Sequence, residues 1–151
     1  MSLPEPEQLT PRAVLLASEE RPLGDAVIEY AARFGAPVYV FAIARVHGTS
    51  LGFPNPGLLP TKAEWEAQRT SVARAVKQLR KRGVKAEGRV LGTRAATKKI
   101  VQEAAARGCD AIVMGADPPA RRMRADFMWS QEPYRVRRRA QIPVYLVTDA
   151  A

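Results

Sequence analysis

Apolar positions fall into short runs separated by amphipathic stretches. Residues 13–17 (Ala-Val-Leu-Leu-Ala) have strand length. Ala26, Val27, Ala31 and Phe34 then recur at helical spacing until Gly35 and Pro37 close the segment, which predicts a first helix over 24–34. A second apolar run, 38–44, follows at once. Residues 46–60 hold three glycines and three prolines without periodicity and are expected to form an exposed loop.

The longest helix is predicted over 61–82. Thr61 with Glu64 three residues on fits a capping box, and Trp65, Val72, Val76 and Leu79 form one stripe ahead of Gly83. Val84, Ala86, Gly88 and Val90 alternate with Lys85, Glu87 and Arg89, the pattern of a half-buried strand near a sheet edge over 84–91. Gly92 and Thr93 are expected to open a third helix whose Ala96, Ile100, Val101, Ala104 and Ala105 face inward. After Arg107-Gly108 comes Ala-Ile-Val-Met-Gly at 111–115, a buried strand leaving through Gly115. A fourth helix near 131–140, with only Val136 and Ala140 as a clear apolar pair, leads through Pro143 into a last strand over 144–147.

Five strands alternating with four helices imply parallel strands joined by right-handed crossovers, hence a doubly wound, three-layer α/β/α sandwich. In such sheets ligands bind beyond the carboxyl ends of the strands, which directs attention to Gly115 and to 116–131. The expected organisation is a flexible lead-in, 1–11, with three prolines, and one domain over 12–151.

Composition narrows the function. No apolar stretch approaches the roughly 18 residues of a membrane span, and the acidic, Pro-rich start does not resemble a signal peptide, so the protein is expected to be cytoplasmic and to make no membrane contact. One cysteine and one histidine exclude an internal disulfide and a Cys/His zinc site, and no metal ligands are assigned. Cys109 reads as a small buried filler and His47 as an exposed loop residue. The net charge of +9 is uneven: 1–31 holds two Arg against six acids, whereas 74–99 holds ten Lys or Arg against Glu87 alone. Residues 121–139 add seven Arg against Asp126 and Glu132. An acidic protein partner or a nucleic acid suits such surfaces, and a merely solvated basic face is the plainer account.

Four stretches carry a family resemblance: strand one with its helix; Gly-Ala-Pro-Val-Tyr-Val at 35–40; 92–115, ending Ala-Arg-Gly-Cys-Asp-Ala-Ile-Val-Met-Gly; and Ile-Pro-Val-Tyr-Leu-Val at 142–147. In their order and spacing the chain resembles the universal stress protein family after Pro11. The resemblance implies a Rossmann-like, adenine nucleotide alpha hydrolase-like fold. It implies a five-stranded parallel sheet of order 3-2-1-4-5 and a homodimer paired through the last strand, Val144 to Val147. Many members bind ATP through an Asp after strand one and, after strand four, a pattern of Gly, two residues, Gly, nine residues, Gly, then Ser or Thr.

This chain keeps only Gly115 of that pattern. Pro118, at the second glycine, has no amide hydrogen and no access to positive φ. The Gly-Ser pair falls on Met128-Trp129 in one register and on Ser130-Gln131 in the other, the second supplying a hydroxyl. Ser18 stands at the Asp position, followed by Glu19 and Glu20, whose charges would repel a triphosphate unless a metal intervened. Arg121, Arg122 and Arg124 could neutralise phosphates directly. The residues assigned to a cofactor site are therefore Ser18, Ile43, Gly115, Pro118, Arg121, Arg122 and Ser130, with ATP or AMP as the cofactor considered. Trp65 reads as core or interface, and Trp129 as a plug for the cleft or a base-stacking platform.

Catalysis is not expected and no catalytic residue is assigned. The segment after strand one is not the Ser/Gly-rich loop of ATP-activating hydrolase relatives. Leu91-Gly92 and Thr148-Asp149 also lack the Asp and Lys of a response-regulator receiver. The sequence thus points to a stress-response domain acting by ligand or protein binding without the usual ATP site. Two alternatives stand beside it: a divergent ATP or AMP sensor using the Arg-rich loop, and a basic adaptor for nucleic acid or an acidic partner.

Overall fold

The structure, a computed structural model, describes residues 3–45, 49–50, 53–54, 61–116 and 132–148. After a 3-10 turn, Pro6–Gln8, the order is β1 Val14–Glu19, α1 Asp25–Ala32, β2 Val38–Arg45, β3 Thr49–Ser50, β4 Phe53–Pro54, α2 Lys62–Lys81, β5 Ala86–Thr93, α3 Ala96–Ala106, β6 Ala111–Ala116, α4 Glu132–Arg139 and β7 Val144–Thr148. The main sheet runs β5-β2-β1-β6-β7 with every pairing parallel, which is the expected order 3-2-1-4-5.

β1 lies at the centre and all six of its residues are buried. Its alternate side chains feed two cores. Val14 and Leu16 pack with α1 and α2 through Val27, Ile28, Val72 and Leu79, while Leu15 and Ala17 pack with α3 and α4 through Ile100, Ala104 and Val136. Leu15, Leu16, Ile28 and Ile112 are wholly buried, each worth roughly 1.5–3 kcal/mol. Gly83 and Gly108 end α2 and α3 at φ values of 79° and 67°, conformations that side-chain-bearing residues adopt at a cost. At the amino end of the sheet, the Asp110 carboxylate accepts from the Arg12 amide at 2.9 Å and ties the entry of β1 to that of β6.

Several elements differ from the expectation. β1 continues through Ser18 and Glu19, because β2 supplies pairing partners as far as Ile43. Gly92 and Thr93 extend β5 rather than open α3, again through pairing with β2, and the Thr93 hydroxyl accepts from the Ala95 amide just before α3. The stretch expected as one loop contains the antiparallel pair β3 and β4. α4 buries Glu132, Pro133 and Tyr134 as well as Val136. The lead-in makes specific contacts: Tyr30 Oη donates to the Pro4 carbonyl at 2.9 Å, and Arg33 pairs with Glu5 and Glu7.

Candidate functional site

The crevice lies where β1 and β6 end side by side. The backbone turns sharply there: the Glu20 amide donates to the Ile43 carbonyl at 3.1 Å and the Arg21 amide to the Glu19 carbonyl at 2.6 Å. Glu20 takes φ 59°, the only non-glycine positive φ among the described residues. A left-handed glutamate costs roughly 1 kcal/mol or more, and such strain collects at functional turns.

Strand alternation sends Ser18 toward α1 and Glu19 toward α3 and α4, and both are buried. Ser18 Oγ has no hydrogen-bond partner among the described residues. Arg45, ending β2, brings Nη1 to 3.0 Å from Glu19 Oε1, at ion-pair distance but out of line for a hydrogen bond. Glu132, the first residue of α4, is also buried; it accepts from the Thr97 hydroxyl and pairs with Arg135 Nη1 at 3.4 Å. Burial first, and then the Glu132 carboxylate, push the Glu19 carboxyl up to about 7, against the pull of Arg45. The Glu19 carboxyl is therefore poised to hold a proton near neutrality.

Gly115 completes the crevice from β6. A Cβ there would lie 3.1 Å from Val27 Cγ2 and 3.5 Å from Arg21 Cδ, so the Arg21 stem passes directly over it. The space enclosed by Ser18, Glu19, Arg21, Met114, Gly115, Glu132 and Pro133 is about 10 Å³. That is about the room for one water.

Of the residues assigned from sequence, Ser18 and Gly115 line this crevice together. Ile43 belongs to it only through its carbonyl; its side chain is wholly buried with Phe41 and Met114 in the α3 and α4 core. Pro118, Arg121, Arg122 and Ser130 lie outside the described residues, as do Arg124, Trp129 and His47. Sequence reasoning missed Glu132, Thr97 and Arg45, and the reach of Arg21. An acid in a first helical turn normally signals only a favourable helix dipole, so the burial of Glu132 had no local signature. Among the described residues no cluster of three or more metal-ligating side chains occurs, and no helix is long and apolar enough to cross a membrane. Cys109 is buried, as expected, with its thiol pushed up to about 12 by burial.

A family model described as the universal stress protein family matches residues 13–148. No curated protein matches the chain. Among solved structures, a universal stress protein from Archaeoglobus fulgidus is 22% identical, with a TM-score of 0.64 over 89% of this chain and 92% of that one. One from the same organism in complex with dAMP is 20% identical, with a TM-score of 0.62 over 89% and 97%. A family member from Burkholderia pseudomallei is 20% identical, with a TM-score of 0.63 over 90% and 95%. At these identities the likeness concerns the fold.

Proposed function

We propose a binding function for this chain, which belongs to the universal stress protein family. It acts as a stress-response domain through a ligand or protein contact, without catalysis, and its crevice beyond β1 and β6 does not take a nucleotide triphosphate. One observation carries this reading: the buried carboxyl groups of Glu19 and Glu132, with Arg21 laid over Gly115, leave about 10 Å³ where a phosphate chain would need several backbone amides free. Two buried acids also oppose polyphosphate charge. Cytoplasmic placement and a homodimer along the outer edge of β7, which pairs only with β6 among the described residues, belong to the same proposal. The test is nucleotide released from the purified protein on denaturation, together with thermal shifts in ATP, ADP and AMP with and without magnesium. No nucleotide and no shift are expected; stoichiometric adenine nucleotide would overturn the reading.

The dAMP complex of the Archaeoglobus fulgidus relative favours a second reading, a nucleotide sensor in which Arg121, Arg122 and Arg124 meet phosphates. It predicts binding of a monophosphate that disappears when those three residues become Ala. A third, the basic adaptor, draws on Arg135, Arg137, Arg138 and Arg139, all exposed on α4. Its mark is a nucleic acid gel shift that weakens steeply with salt.

A further inference from the structure

A second concavity, unrelated to the crevice, runs between α2 and the outer edge of β5 and holds about 750 Å³. Its apolar floor is made by Trp65, Val76 and Val90, and its rim carries Arg69, Lys77 and Arg80. It lies largely within the stretch where ten basic residues face one acid. That acid, Glu87, is engaged by Arg107 at 3.2 Å, and Arg89 is drawn to the opposite face by Glu103, with two bonds of 2.9 Å. The groove is left with a positive rim, and Lys77 on it has no partner among the described residues.

The strand beside it is open. β5 pairs only with β2 among the described residues. Val38, in register with Ala86, donates its amide to the Lys85 carbonyl at 2.9 Å. In a parallel ladder both backbone groups of every second residue turn to the same neighbour, so Lys85, Glu87 and Arg89 face β2 while Ala86, Gly88 and Val90 face outward. Arg80 Nε donating to the Ala86 carbonyl at 3.0 Å agrees with this alternation and closes one end of the edge. The groups of Gly88 and Val90 remain for a further strand, with no side chain on Gly88 to obstruct it.

We propose that this edge and groove dock an extended acidic peptide segment of a partner protein. Its backbone adds a strand to β5; every second side chain of that strand faces α2, and among these the apolar ones enter the Trp65–Val90 floor while the acidic ones meet Lys77, Arg80 and Arg69. An open strand edge recognises main chain, which a small anionic aromatic molecule does not offer, and the three cations select acidic over basic strands. The site is independent of whether the crevice binds nucleotide.

The probe is a capped octapeptide repeating Val-Thr-Glu-Thr, the Val-Glu peptide, in which Val and Glu share one face of the strand, labelled for fluorescence anisotropy. Its companions are a Val-Lys counterpart, a version N-methylated at every second residue, and indole-3-acetate as a free anionic aromatic. The Val-Glu peptide is expected to bind saturably and to shift the Gly88 and Val90 amide resonances. The Val-Lys and N-methylated peptides should bind at least about tenfold more weakly. The double substitution K77E/R80E should lower affinity by a similar factor with unchanged circular dichroism; because the N-methylated peptide needs no protein variant, the strand-addition test does not depend on that variant folding. Absence of saturable binding, equal binding of the N-methylated peptide, or binding of indole-3-acetate but not of the peptide would overturn the proposal.

Discussion

Glu19 and Arg45 sit at the ends of adjacent strands with Oε1 and Nη1 3.0 Å apart, and the carboxylate is buried while the guanidinium reaches solvent. The pair is lopsided: Arg45 offsets only part of the cost of burying Glu19 beside Glu132. Glu20 adds to that cost. In the unfolded chain Glu19 titrates near 4.5, in the folded chain at about 7. Between these values the folded state holds a proton that the unfolded state has released, so this residue's contribution is full below about 4.5, falls as pH rises, and is level above about 7. Glu19→Gln removes the loss. The variant should gain roughly 1–3 kcal/mol over the parent at pH 8 and little at pH 4.5, read from denaturant midpoints across pH. Parallel pH curves for the two proteins would contradict the shift. Arg45→Met should act oppositely at pH 8, lowering stability by up to about 3 kcal/mol.

Gly88 and Gly115 are both required by close approach, to different degrees. A Cβ on Gly88 would fall 2.5 Å from Val72 Cγ1 and 3.1 Å from the Val40 carbonyl oxygen, whereas on Gly115 the nearest atom is Val27 Cγ2 at 3.1 Å. Gly88→Ala should therefore cost about 1–3 kcal/mol by forcing α2 away from β5, and Gly115→Ala about 1 kcal/mol or less. Thermal melts of the two variants check the order; a more damaging Gly115 change would show that the crevice is the tighter place.

Thr61 accepts from the Glu64 amide at 3.1 Å and caps α2. Thr61→Ala should lower stability by about 1 kcal/mol, and Thr61→Asp should retain most of it, by urea denaturation.

The thiol of Cys109 is buried and its pKa is pushed up to about 12, so little thiolate exists at neutral pH. In native protein it should react with Ellman's reagent only as fast as the chain unfolds, and at once in 6 M guanidinium. Prompt labelling of the folded protein would reveal an opening around the start of β6.

The alternation of apolar runs with amphipathic helices, the stops at Gly83 and Gly108, and the open character of β5 were legible along the chain because each depends on side-chain periodicity or local backbone conformation. Where β1 and β5 end was not, because Ser18, Glu19, Gly92 and Thr93 become strand only when β2 pairs with them. Gly115 could be placed at a ligand-side crevice from sequence, since an apolar run leaving through glycine after a helix stop marks the carboxyl end of a parallel strand. What fills that crevice was decided by tertiary structure alone: Glu132 comes from 113 residues beyond Glu19 and Arg21 from the turn above, while Arg45 reaches Glu19 from the neighbouring strand. Burial and the charge of a distant neighbour set the state of Glu19, and neither has a counterpart in the spacing of residues along a chain.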